Sequence, residues 1–172
     1  MIKEALQNAL LLIFRPLVNT WLSLRYRCII HPFAFIKGNV RIGKGTIIAR
    51  SRITSYGNLI EIGAGSKVYA DCKIFGHASV KIGKDVLIGG ETVIITSGHN
   101  YNDIDKPIKK QGLCCMPVTI EDGAWLGFRV TVLPGAVIGQ RSVIGAGAVV
   151  SHNIPSNTIA VGVPARGIRR LA

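Results

Sequence analysis

The sequence predicts an all-β fold of the parallel β-helix class, on three observations. Large aliphatics return every six residues, at Ile36, Ile42 and Ile48, at Ile62, Val68 and Ile74, at Ile82, Ile88 and Ile94, and again from Ile120 to Val150. Two positions before each stands a smaller or branched residue, such as Ala34, Thr46, Ser66, Cys72, Ala124 or Ala148. Glycine follows many of the aliphatics, as at Gly43, Gly63, Gly83, Gly127 and Gly145. A period of six fits neither an α-helix nor an isolated strand. It fits a short strand plus a turn, repeated so that each unit buries its inward pair on the unit stacked beside it. The glycines answer a backbone requirement at each corner, either a positive φ or the close approach of a neighbouring coil.

Length and composition agree with one such domain, since 172 residues at 48% hydrophobic supply a core. Twenty-one Lys and Arg against nine Asp and Glu give a net charge of +12, which favours anionic partners such as phosphorylated cofactors or a membrane surface. No zinc-finger or RNA-binding signature accompanies the charge, and a nucleic-acid partner is not expected. Cys28, Cys72, Cys114 and Cys115 lack the spacing of a metal site and read as reduced thiols of a cytoplasmic protein, with Cys72 in a small-residue slot of the repeat.

Taken in order, residues 1–30 form an N-terminal helical segment and residues 31–172 the β-helix. Ala5, Leu6, Ala9, Leu10, Ile13, Leu17, Leu24 and Cys28 recur three and four apart, predicting a helix over 3–28 that Pro16 ends or kinks. Arginines interrupt its apolar run before it is long enough to span a bilayer. The helix is expected to pack on the domain or a neighbouring subunit, with peripheral contact to the inner face of a membrane as the alternative. From Phe33 the six-residue period takes over. It slips by two residues between Ile48 and Ile62 and again between Ile74 and Ile82, which predicts enlarged corners near Tyr56-Gly57 and Gly76-His77. Between Ile94 and Ile120 about twenty extra residues interrupt it, predicting a protruding loop over 98–117 that His99 opens.

Several ordered motifs resemble the hexapeptide-repeat acyltransferases, most closely the sugar O-acetyltransferases of the galactoside, maltose and capsule-polysaccharide type. They are Thr-Ser-Gly-His at 96–99, Pro-Val-Thr-Ile-Glu-Asp-Gly-Ala-Trp-Leu-Gly at 117–127, Leu-Pro-Gly-Ala-Val-Ile-Gly at 133–139 and Gly-Val-Pro-Ala-Arg at 162–166. In that family three hexapeptides make one turn of a left-handed β-helix, so the fifteen units of the repeat imply about five turns. The resemblance also implies a homotrimer with active sites between subunits, acetyl-CoA as co-substrate, and direct transfer to a sugar or glycan hydroxyl.

The chemistry centres on His99. Moving an acetyl group from a thioester to a hydroxyl requires a base for the hydroxyl proton, and an imidazole suits neutral pH. The family places its catalytic His at this point. Asp103 or Asp105 is a candidate to orient the ring, although loop acids more often cap turns. Asn100 and Tyr101 are candidate acceptor contacts, as are Tyr69 and His77, which stand where galactoside-type enzymes carry Asn and Asp. By the same resemblance Trp125 walls the acceptor or the pantetheine arm, facing His99 of the next chain, and coenzyme A falls on Phe128, Ala146, Ser151, His152, Arg166 and Arg169. The γ-class carbonic anhydrases share the fold and hold zinc through three His. Here Asp103, Ile104 and Asp105 occupy the region of the second, so no metal is expected. Gly145-Ala146-Gly147 keeps the repeat register and is not a phosphate loop. Two other classes stay open: an N-acetyltransferase acting on an amino-sugar nucleotide, and a non-catalytic β-helix scaffold.

Overall fold

The computed structural model describes residues 14–25 and 27–172. The first of these segments is a helix, α1. The part of the predicted helix before residue 14 lies outside the described residues. Downstream the helix is shorter than the periodicity predicts, because Arg27 takes a left-handed φ of 49°. The amides of Arg27 and Cys28 then donate to the carbonyls of Leu24 and Ser23, a pair of bonds that closes a helix C-terminus.

Five coils with short strands on three faces follow, then a sixth of two strands and a bridge, with a seventh begun. They run β1 (Ile29–Ile30), β2 (Phe35–Lys37), β3 (Val40–Ile42); β4 (Ile47–Ile48), β5 (Arg52–Ser55), β6 (Ile60–Ile62); β7 (Lys67–Val68), β8 (Lys73–Gly76), β9 (Val80–Ile82). The fourth coil is β10 (Leu87–Ile88) and β11 (Val93–Ile95), then the hairpin β12 (Ser97–His99) and β13 (Leu113–Cys115), then β14 (Val118–Ile120). The fifth is β15 (Trp125–Leu126), β16 (Thr131–Val132) and β17 (Val137–Ile138). The sixth is β18 (Val143–Ile144), β19 (Val149–Val150) and a single bridge from Ile138 to Ile154. Finally β20 (Thr158–Val161) continues the first face, and β21 (Arg166–Arg170) folds back antiparallel on it. First, second and third strands of successive coils pair in parallel into three faces, here A, B and C.

The expected five turns are thus too few. Four inward positions escape the six-residue count: Ile30 beside the helix, Ile53 five residues after Ile48, Ile154 four after Val150, and the small Ala160. With them each face carries one unbroken inward column. On face A, Ile30, Ile48, Val68, Ile88, Leu126, Ile144 and Ala160 align strand to strand. Most of these side chains are fully buried, and the smaller residues Ala34, Thr46, Ser66, Cys72, Ala124 and Ala148 fill the corners between columns.

The repeat glycines are required by close approach. A Cβ on Gly63 would overlap the backbone of Gly83, and one on Gly127 would stand 2.7 Å from the amide nitrogen of Ala146. Both enlarged corners are present, at Tyr56-Gly57 between β5 and β6 and at His77 between β8 and β9. The long insertion leaves between β11 and β14, so the extra residues of three consecutive coils emerge at one corner, B/C.

The helix closes the N-terminal end of the solenoid. Asn19 is buried, and its amide donates toward the carbonyls of His31, Pro32 and Ala34 at 2.9 to 3.0 Å, while Leu22 packs against the core. Those carbonyls belong to the first coil and have no coil beneath them.

Ile120→Ala is expected to lower the unfolding free energy by about 2–5 kcal/mol in a denaturant titration, as for other truncations of fully buried aliphatics. Gly63→Ala should also destabilise, whereas Gly98→Ala should leave the midpoint unchanged, because nothing lies within 4 Å of a Cβ built there. Burial pushes the Cys72 thiol up to about 11. Alkylation near pH 8 should therefore label exposed Cys115 rapidly and Cys72 only on unfolding.

Candidate active site

Thr96 founds the site. It is fully buried where β11 ends, and its hydroxyl accepts from the amide of Ala78 at 2.9 Å and donates to the carbonyl of Phe75 at 3.2 Å. These bonds tie the mouth of the insertion to the coil below. From there β12 and β13 pair antiparallel, Ser97 with Cys115 and His99 with Leu113, so His99 stands on a strand of a two-stranded arm. Its side chain is exposed and makes no hydrogen bond among the described residues.

Beyond His99 the loop is organised by Gln111, to which spacing alone assigns no role. Its side-chain oxygen accepts from the amide of Asp103 at 3.1 Å, and its nitrogen donates to the carbonyls of Asp103 and Lys106, each at 2.7 Å. Asn100 donates to the Gln111 carbonyl at 3.1 Å, while Tyr101 projects into solvent at 73% exposure. Asp103 accepts from the amide of Asp105 at 3.1 Å and pairs with Lys106 at 2.9 Å. It is a turn-capping acid and does not orient His99.

Below the arm, at the same corner, His77 stacks on Tyr56 with ring centroids 4.0 Å apart and planes 11° from parallel. Asn58 donates to the His77 carbonyl at 2.6 Å. Sequence reasoning singles out His77 as an acceptor contact and, from the slipped period between Ile48 and Ile62, puts Tyr56 one coil lower at an enlarged corner, but it does not bring the two rings together.

The remaining site residues stand elsewhere on the chain. Tyr69 follows β7 at corner A/B, and Phe128 and Ala146 follow β15 and β18 at that corner, with the Phe128 ring over Gly90. Trp125 points outward from face A at 52% exposure, between Leu87 and Val143 on the neighbouring coils. Ser151 and His152 follow β19. Arg166 Nη1 lies 3.2 and 3.1 Å from the two ring nitrogens of His152, so these two candidates meet near the C-terminal end of the solenoid. Arg169 pairs with Ile159 through β21. Apart from Ser151, His152, Arg166 and Arg169 at the C-terminal end, the candidates form two groups: His99, Asn100, Tyr101 and His77 at corner B/C, and Tyr69, Trp125, Phe128 and Ala146 on face A and its edge toward B. Face B separates them. A groove lined by Arg50, Arg52, Asp71, Lys73 and Glu91 belongs to neither group. No three His, Cys, Asp or Glu converge as a metal centre among the described residues.

Comparison with known proteins follows this geometry. Residues 117–152 match the family Bacterial transferase hexapeptide (six repeats). A probable acetyltransferase of Mycobacterium tuberculosis is 33% identical over 171 residues, covering 89% of this chain and 57% of the relative. The galactoside O-acetyltransferase of Escherichia coli is 37% identical over 118 residues, covering 68% and 57% respectively. A hexapeptide-repeat acetyltransferase of Vibrio cholerae, solved with acetyl coenzyme A, is 27% identical at a TM-score of 0.55, covering 87% of this chain and 74% of that one. The chain spans a little over half the length of the curated relatives it matches. Repeat, coil geometry and similarity agree: the chain belongs to the hexapeptide-repeat acyltransferases, built on the left-handed β-helix.

Proposed function

We propose that this protein transfers an acetyl group from acetyl-CoA to a hydroxyl of a sugar or glycan precursor in the cytoplasm, with His99 as general base. The observation that carries the reading is the placement of His99: an exposed imidazole, free of hydrogen bonds within the described chain, on a paired strand anchored by buried Thr96. The relatives supply the chemistry, since one is named a galactoside O-acetyltransferase and another structure contains acetyl coenzyme A.

In the proposed step the acceptor oxygen attacks the thioester carbonyl while His99 takes its proton. The tetrahedral intermediate then collapses, the C–S bond breaks, and the imidazolium returns the proton to the departing thiolate. A backbone N–H stabilises the oxyanion. No acyl-enzyme is needed, and Cys114 and Cys115 take no part.

The two groups of site residues meet if three chains assemble around a parallel axis, so that corner B/C of one chain faces side A of the next. Trp125, Tyr69, Phe128 and Ala146 of one subunit then complete the site of its neighbour, with Ser151, His152, Arg166 and Arg169 meeting the phosphates of coenzyme A. Tyr56 and His77 offer the acceptor a stacked aromatic floor beneath His99. Gly98 bears on this reading as well. A side chain there is sterically free within the chain, so the small residue beside His99 answers to what docks against the arm.

His99→Ala should reduce acetyl transfer by about 10²–10⁴-fold at unchanged melting temperature and sedimentation coefficient, and unchanged rates would refute the assignment. A screen of sugars, sugar nucleotides and lipid-linked glycans, read by thiol release, should give a product whose acetyl group leaves in mild alkali. A stable amide would point to N-transfer, and no thiol release with any acceptor to a scaffold. Gln111→Ala should raise KM for the acceptor and speed amide exchange over residues 100–112 without changing global stability.

A further inference from the structure

Among the described residues, nothing packs over one face of the helix that closes the N-terminal end of the solenoid. Asn19 and Leu22 turn toward the first coil. Phe14, Leu17, Val18, Trp21 and Leu24 turn away from it and are between 50% and 75% exposed. At 3.6 residues per turn these five fall within an arc of about 120°. The face is apolar and carries a Trp, with the Arg25 guanidinium 5.4 Å from the indole centroid.

Charge around this face is one-sided. Between Glu4 and Glu61 the sequence contains eight Lys or Arg and no Asp or Glu. Among the described residues, acids from the coils above meet Arg41, through Glu61 at 3.5 Å, and Arg50, through Asp71 at 2.9 Å. Arg15 and Arg52 stack on Phe35 at 4.5 and 4.8 Å, which leaves their charge in place. The helix and the first coil therefore present a positive end bearing an apolar, Trp-containing stripe.

We propose that this end of the molecule docks on an anionic lipid leaflet, with α1 lying in the interface. An amphipathic helix in such a plane buries its apolar face at the headgroup boundary and gains about fivefold in binding for each Lys or Arg held near the anionic surface. The arginine beside Trp21 keeps its charge among headgroups while its stem and the ring enter the interface. A second copy seated end to end is the less favourable occupant, because it would bring two basic ends face to face. No described helix is long and apolar enough to cross a membrane. The solenoid axis then stands away from the leaflet. His99 sits three coils above the first, about 15 Å at the spacing of neighbouring strands.

The test is flotation of the full chain with vesicles of phosphatidylcholine alone or of phosphatidylcholine with phosphatidylglycerol, repeated with the double variant Leu17→Glu, Trp21→Glu. Both positions are exposed, so folding is not at stake. Wild type should float with the phosphatidylglycerol vesicles, at least tenfold less with phosphatidylcholine alone, and progressively less as salt rises. The double variant should lose at least tenfold while keeping its melting temperature, its sedimentation coefficient and its transfer to a soluble acceptor. Wild type remaining in the aqueous phase, or the variant floating equally well, would overturn the proposal. A fall in the variant's sedimentation coefficient would do so too, by identifying the face as a subunit contact. None of these outcomes depends on the role of His99.

Discussion

Each coil must place one inward aliphatic on each face at the height of its neighbours, and the rest of the structure follows from that registration. Within a strand a single extra residue would turn the aliphatic outward and expose the small residue that should fill the corner. Extra residues are therefore admitted only where the chain already turns. The coils containing β5, β8 and β11 all take theirs at corner B/C, the last by far the largest. An enlarged corner leaves a gap in the ladder above and below it, and that gap is least disruptive when the next coil enlarges at the same place. The arm bearing His99 is the largest member of this series, and Tyr56 and His77 line the two smaller ones. Site and solenoid obey one packing rule.

The same rule explains the glycines. Adjacent coils approach so closely at the corners that Gly63 and Gly127 have no room for a side chain. The residues that take a positive φ are a different set, including Asp71, Glu91, Arg129 and Gly147 at successive A/B corners. Charged residues accept that strain because they point outward and reach across coils, as Glu91 does to Arg129 at 2.7 Å. A six-residue pattern with Gly at one fixed place thus records contact between coils more than chain conformation.

Much of this was legible in the sequence, and the exceptions share a cause. Period six exposed the class of fold, both enlarged corners and the loop, because each rests on the spacing of large aliphatics. Ile53 and Ile154 were hidden because their coils are shortened locally, the first by one residue and the second by two, and Ala160 because the column ends on a small residue. The stack of Tyr56 on His77 joins residues 21 apart, a separation set by the size of one whole coil and invisible to any local pattern. Gln111 was equally hidden. Its three bonds hold a loop without a repeat, so no periodicity could assign them. His99 stood out because the interruption itself marked it.

The division of the site between corner B/C and face A carries the remaining step. A rigid solenoid cannot bend one edge toward another, since the inward columns lock all three faces at once. Residues on separate edges can act together only if a second chain brings its own face across. A β-helix is suited to this, because parallel copies present matching heights along their whole length, and in the proposed trimer a coil-four arm on one would meet coils three to six on the next. Tyr69 and Ala146 bracket that span on the A side. The exposed Trp125 lies inside it, flanked by Leu87 and Val143, as a flat apolar strip would need to be. In the proposed assembly the arm would reach across an interface to residues that its own chain carries on a different edge.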